Sequence, residues 1–285
     1  MNQVELKHIP VRPRNPLAGW ERKVHWILFV LFLVNAGLVW ERPWANGAPF
    51  VGKNWPEGLL LVLAAGTTLA SLSRQLPTQN CILAGVVIGA AGASAETLGA
   101  VTGIPFGPLV YNPQNIGRPV FNLVPWTVPL IWVVAILNAR GVARLVLRRY
   151  RTRLNYGFWL MGATVLLVVL FEFSFEPYAS VVKQYWTWKQ TRLPSDWYTT
   201  PWTDFFGWGV TAALILLFVT PALINKSPIK HPPSYHALIV WEALSFLFLT
   251  ATAQGRLWGA ASLIAGQMVV VAAFSILGSR SKSRG

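Results

Sequence analysis

Cys81–Ala100 reads CILAGVVIGAAGASAETLGA, twenty residues that carry one formal charge, Glu96. An α-helix needs about 20 mostly apolar residues to cross the hydrocarbon core of a bilayer. No other charge occurs between Arg74 and Arg118. A soluble domain is about one quarter charged, whereas this 285-residue chain is 12% charged and 54% hydrophobic, with a mean hydropathy of +0.46. Lipid is therefore its main solvent. The fold class this predicts is all-α, a polytopic transmembrane helical bundle.

Working outward from that stretch, apolar runs predict spans at 24–40, 58–72, 81–100, 120–139, 156–175, 205–224, 236–253 and 257–277. This gives eight spans. Seven is the alternative, because 58–72 is short and 120–139 contains Pro125 and Pro129. Loop charge supports the even count. Seventeen of the 24 Lys and Arg fall on the side that holds both termini and seven on the other. By the positive-inside rule both termini are then cytoplasmic. The predicted organisation is a basic N-terminal tail over 1–23, one transmembrane domain over 24–278 and a basic C-terminal tail over 279–285. The N-terminal tail lacks the apolar core and small-residue cleavage site of a secretory signal.

The net charge of +14 could suggest a nucleic-acid partner, since basic patches neutralise phosphates. Here the basic residues sit between apolar runs, so no nucleic acid is expected. The arginine-rich run GVARLVLRRYRTR (Gly141–Arg153) reads as an anchor to anionic lipid headgroups. One cysteine, Cys81, excludes an internal disulfide framework and a cysteine-based metal cage.

The chain has only ten acids, so their positions are informative. Ionisable residues within spans are costly and raise a functional hypothesis by default. Glu5, Glu21, Glu41 and Glu57 lie in tails or at span ends and read as solvated. Glu96, Glu172, Glu176 and Asp204 all map to the outer end of their spans, while Glu242 stands apart in the seventh. FEFSFEP sets Glu172 and Glu176 four residues apart, hence on one helical face. No Lys or Arg between Arg153 and Lys183 neutralises them. Two such carboxylates cannot both carry charge in a low dielectric without desolvation and repulsion costs. That arrangement keeps a carboxylic acid protonated near neutral pH.

The outer loop that follows holds Trp186, Trp188, Trp197, Trp202 and Trp208 within 23 residues. An interfacial aromatic belt accounts for some of them. Aromatic faces can also line a channel for a long polyene and stabilise a carbocation. Other chemistries lack their residues. Four histidines are too few for a membrane di-iron centre, and there is no nucleophile elbow, P-loop or dinucleotide fingerprint. Paired Asp-rich prenyltransferase motifs are missing, and no lysine lies in a span to form a retinal Schiff base. Neither a metal nor a cofactor is expected.

Four ordered motifs lie between residues 80 and 220: Glu96-Thr-Leu-Gly-Ala-Val-Thr102-Gly-Ile-Pro-Phe106-Gly with Tyr111 nearby; Glu172-Phe-Ser-Phe-Glu176-Pro; Trp186-Thr-Trp188; and Pro201-Trp202-Thr-Asp204-Phe-Phe-Gly-Trp208. Together they resemble the carotenoid biosynthesis membrane family that includes bisanhydrobacterioruberin and γ-carotene 1′,2′-hydratases. Glutamates stand where the family usually has aspartates, Asp204 stands for the usual Asn, and DWYTT replaces a tyrosine-rich glycine turn.

The resemblance implies hydration of the terminal double bond of an acyclic carotenoid end group, without a cofactor. Glu172 or Glu176 would donate the proton, with Glu96 and Asp204 orienting water or sharing the proton. Thr102, Phe106, Tyr111, Trp186, Trp188, Trp202 and Trp208 would form the substrate pocket. The implied setting is the inner cell membrane, crossed several times, with room for association with other membrane enzymes of such a pathway. Three other readings fit the residues: a non-catalytic carotenoid- or lipid-binding subunit, an acid-driven isomerisation or cyclisation, and proton or ion transport through Glu96 and Glu242.

Overall fold

Proline and glycine positions decide where the apolar runs become helices. The computed structural model describes residues 17–41, 55–120, 123–189, 195–224 and 232–280. The tails at 1–16 and 281–285 lie outside these residues. The first three helices are α1 (Leu17–Glu41), α2 (Trp55–Ser73) and α3 (Thr78–Thr102). After α3 the chain does not cross back at once. Gly103, in the left-handed conformation at φ 77°, caps α3 by donating its N–H to the Gly99 carbonyl, the usual use of glycine past a helix end. A short irregular segment follows, containing β1 (Leu109–Tyr111), α4 (Pro113–Ile116), β2 (Pro119–Val120) and β3 (Val124–Pro125).

Helix α5 then runs from Val128 to Val146, eight residues later than the span expected at 120–139. Pro125 lies in the β2–β3 hairpin, and Pro129 sits in the first turn of α5, where its missing N–H costs no helical bond. The shift carries Arg140 and Arg144 inside the helix. Helix α5 is the central element: 78% of its apolar window is buried, against 28–56% for the other long helices. It packs against α2, α3 and the later helices α6 (Tyr156–Glu176), α8 (His236–Gln254) and α9 (Trp258–Arg280).

Helix α6 passes into a π-helical turn at Pro177–Val182. Pro177 has no N–H to give Phe173, one turn earlier. The Phe173 carbonyl instead accepts the Trp197 indole N–H at 3.1 Å. Beyond this turn lie β4 (Trp186–Trp188), β5 (Ser195–Trp197), β6 (Thr200–Pro201) and α7 (Trp202–Val219).

Among the described residues seven helices are long and apolar enough to cross a membrane, namely α1, α3 and α5 to α9, with α6 extended through its π-turn. Helix α2 is shorter, but it joins the same two ends of the bundle. Glu57 at its start pairs with Lys183 after the π-turn at 2.8 Å, and Arg74 just beyond its end meets His25 of α1. Glu57 is therefore not solvated, as its sequence position suggested, but buried against its lysine. One end of the bundle gathers Glu96, Glu172, Glu176 and Asp204. The opposite end gathers the arginines after α5, the start of α8 and the end of α9, where Gly278 rests on the Leu145 and Val146 carbonyls.

Candidate functional site

The four acids reach one place by simple geometry. Glu172 and Glu176, one turn apart on α6, face inward and are 1% and 0% exposed. Asp204 lies in the first turn of α7, 2% exposed, where the helix dipole favours negative charge. Glu96 comes from the last turns of α3. All four line one cavity of about 20 Å³, enough for about one water molecule.

A two-stranded ribbon closes this cavity. Strand β1 pairs antiparallel with β4, placing Tyr111 opposite Trp186 and Leu109 opposite Trp188. Side chains alternate faces along a strand, so Trp186 and Trp188 point the same way and Thr187 points out. That alternation explains the Trp-x-Trp spacing. Gly107, at φ 113°, precedes the ribbon, and a Cβ there would meet Pro201 at 2.9 Å and Trp188 at 3.3 Å. Both the backbone angle and the close approach require glycine.

The hydrogen bonds divide the acids into two kinds. Glu176 Oε1 accepts three: from Trp188 Nε1 at 2.6 Å, Thr200 Oγ1 at 2.9 Å and Trp186 Nε1 at 3.1 Å. Glu96 accepts the Tyr111 hydroxyl at 2.8 Å and Trp132 Nε1 at 3.3 Å. Burial, the Glu96 carboxylate and its hydrogen bond push the Tyr111 phenol well above the ordinary tyrosine range. In contrast, both oxygens of Glu172, Glu176 Oε2 and Asp204 Oδ2 are buried and receive no donor. Glu172 instead lies within hydrogen-bonding reach of Glu176 and Asp204. Oxygens that can only accept do not satisfy one another unless a proton or a cation sits between them. One oxygen each from Glu172, Glu176 and Asp204 lie within 4.8 Å of one another, so these three are also the residues that could hold a metal ion.

Of the residues expected in the pocket, Tyr111, Trp186, Trp188 and Trp208 line it. Three do not. Phe106 is fully buried one layer behind, in a slot left open by Gly99 and Gly207. Thr102 is exposed and turns its hydroxyl to the Leu98 carbonyl at 2.7 Å. Trp202 is 45% exposed and packs on Phe173 and Phe205. Glu242 stands apart, as expected.

Two residues escaped the sequence reading, Trp132 and Thr200. Trp132 of α5 stacks on Trp208 with ring centroids 4.1 Å apart and reaches Glu96. It fits because Gly92 of α3 has no side chain: a Cβ there would overlap the Trp132 ring. Neither has a local signal in the sequence, since one lies in an apolar run and the other in a threonine pair.

Beside the acid cavity is a second cavity of about 50 Å³, sharing Ile131 and Phe175 with it. Its walls are almost wholly apolar, with Leu60, Val134, Leu244 and Phe248 among them, and Glu57 lies at its edge.

Fold and site together define a multi-pass membrane protein with a buried carboxylate cluster under a tryptophan ribbon. The chain belongs to the carotenoid biosynthesis protein family, whose match covers residues 57–278. Its role is in carotenoid biosynthesis, and its substrate context is a polyene. No curated protein and no solved structure matches it significantly.

Proposed function

We propose that the protein hydrates the terminal double bond of an acyclic carotenoid, with Glu172 as proton donor. The observation that carries this reading is the position of Glu172. It is fully buried, receives no donor and faces two other carboxylates beside room for one water. A carboxyl so placed is best satisfied by carrying its own proton and offering it to Glu176 or Asp204. Glu176, held by three N–H and O–H donors, is the natural ionised partner.

The end group would lie in the apolar cavity with its alkene at the Ile131–Phe175 boundary. Glu172 transfers its proton to the less substituted alkene carbon, and the π pair becomes the new C–H bond. This leaves a tertiary cation facing the Trp132–Trp208 stack and Trp186, whose π faces attract positive charge. Water in the acid cavity then attacks the cation with an oxygen lone pair and gives a proton to Glu176. Proton exchange between the touching carboxyls restores Glu172 and ionised Glu176. Atoms balance as alkene plus water giving tertiary alcohol, with no redox change.

An isolated alkene offers no lone pair for a Lewis acid to polarise, which favours a proton over a cation at this site. With the basic end of the bundle towards the cytoplasm, the acid site lies in the outer half of the inner cell membrane. The test is conversion of a lycopene-like substrate by the wild type and by Glu96→Gln, Glu172→Gln, Glu176→Gln and Asp204→Asn. Loss of a positioned general acid lowers the rate by about 10²–10⁴-fold. Full hydration by all four variants refutes the mechanism. Pigment bound but unchanged identifies a binding subunit, and a product of unchanged mass identifies isomerisation or cyclisation.

A further inference from the structure

At the end of the bundle opposite the acids is a larger cavity, of about 120 Å³. It lies between the end of α2, the end of α5 and the starts of α6 and α8. Three arginines line it, Arg144, Arg148 and Arg151, together with Gln75, Tyr156 and His236. The titratable groups that face Arg144 are Tyr156, Arg151 and Arg148. The chain has no acid between Glu96 and Glu172, and among the described residues no carboxylate is paired with these arginines.

A hydrogen-bond relay ends at the wall of this basic cavity. The Arg74 guanidinium can only donate, and its Nη1 meets His25 Nδ1 at 3.3 Å. His25 Nδ1 is therefore the acceptor, and the hydrogen of the neutral ring sits on Nε2. His25 Nε2 lies 3.1 Å from His236 Nδ1, so His236 accepts there and carries its own hydrogen on Nε2. That last N–H has no partner, although His236 is more than nine-tenths buried and forms part of the cavity wall. The other groups facing His236 from the packed elements are cationic or neutral: Arg74, His25 and Phe29. A buried donor left unpaired is costly, and His236 shares the cavity wall with Arg144, Arg148 and Arg151. An acceptor bearing negative charge would satisfy both the guanidinium groups and a neutral N–H donor.

We infer that this cavity is a binding site for a phosphate group. Arginine forks match phosphate oxygens in pairs, and the cavity is several times the space one water needs. Histidine Nε2–H and the Gln75 amide would supply neutral donors at its inner wall. The phosphate can come from a phospholipid headgroup at this end of the bundle or from a soluble phosphate or diphosphate.

The experiment uses the full chain, purified, stripped of lipid and read for binding rather than turnover, so it stands apart from the hydration proposal. The probes are phosphatidylglycerol in phosphatidylcholine nanodiscs, inorganic phosphate and inorganic pyrophosphate. One-to-one retention of phosphatidylglycerol in native mass spectra, with neither soluble anion raising the melting temperature, identifies a lipid headgroup. A melting shift with phosphate or pyrophosphate identifies the soluble source. In either case Arg148→Gln and His236→Gln weaken binding roughly tenfold or more, as loss of a hydrogen bond to a charged group predicts. Arg153→Gln, on the same basic segment but outside the cavity, leaves it unchanged. Arg148 is only partly buried, so its variant reports on binding even where His236→Gln lowers the melting temperature. Failure of the wild type to bind any probe, or equal binding by Arg148→Gln, overturns the inference. So does equal weakening by Arg153→Gln, which would show general attraction to a basic surface.

Discussion

Replacing Trp188 by Phe removes one hydrogen bond and little else. The indole N–H of Trp188 makes the shortest of the three contacts to Glu176 Oε1, at 2.6 Å. The phenyl ring keeps most of the apolar volume above Gly107, so packing loss is small. A hydrogen bond to a charged oxygen contributes about 1.5–3 kcal/mol. If Glu176 must be ionised to take the proton from water, that amount appears in the barrier as a rate loss of roughly ten- to a hundredfold. The assay is the initial rate of conversion of an acyclic carotenoid by the reconstituted protein, followed by liquid chromatography and mass. Trp202→Phe, in a half-exposed residue away from the cavity, stays within about twofold of wild type. A Trp188→Phe rate within twofold of wild type, at unchanged melting temperature, would refute the assignment of Glu176 as the ionised partner.

Gly92→Ala forces a Cβ into the Trp132 ring and is expected to destabilise by about 1–3 kcal/mol, seen as a lower melting temperature together with slower turnover. The Tyr111 phenol is held above its ordinary range, so it stays protonated where exposed tyrosines ionise, near pH 10. The raised folded value also means that its contribution to stability is full below that range and is lost as pH rises beyond it. Ultraviolet difference titration of the wild type against Tyr111→Phe measures this directly. Chelation with EDTA leaves turnover unchanged if the acids share a proton, whereas loss of turnover restored by a divalent ion assigns Glu172, Glu176 and Asp204 to a metal. Glu242→Gln leaves hydration unchanged; a loss as large as that of Glu176→Gln would favour transport.

Much of the fold was legible because lipid imposes long apolar runs. The acid site was legible because α6 repeats nearly every four residues and β4 every two: Glu172 with Glu176, and Trp186 with Trp188, follow from those periods alone. Long-range pairings were not legible. Nothing local links Glu57 to Lys183, or Trp132 to Glu96, since these contacts form only when separate helices pack. The start of α5 was misplaced because hydropathy ignores backbone chemistry, and Pro125 and Pro129 moved it by two turns. Phe106 and Trp202 looked like pocket residues because motif proximity does not reveal which way a side chain points. The His236–His25–Arg74 relay joins three elements, and no one of them carries a motif.

Hydration as proposed turns water from the acid cavity into the hydroxyl of the product, with the proton supplied by Glu172. The most direct measurement is reaction of a lycopene-like substrate in water enriched in heavy oxygen, with wild-type protein and with Glu172→Gln. The expected product is a tertiary alcohol carrying the heavy oxygen from the wild type, and little or none from the variant. Unlabelled or absent alcohol from the wild type, or equal labelled product from Glu172→Gln, would contradict it.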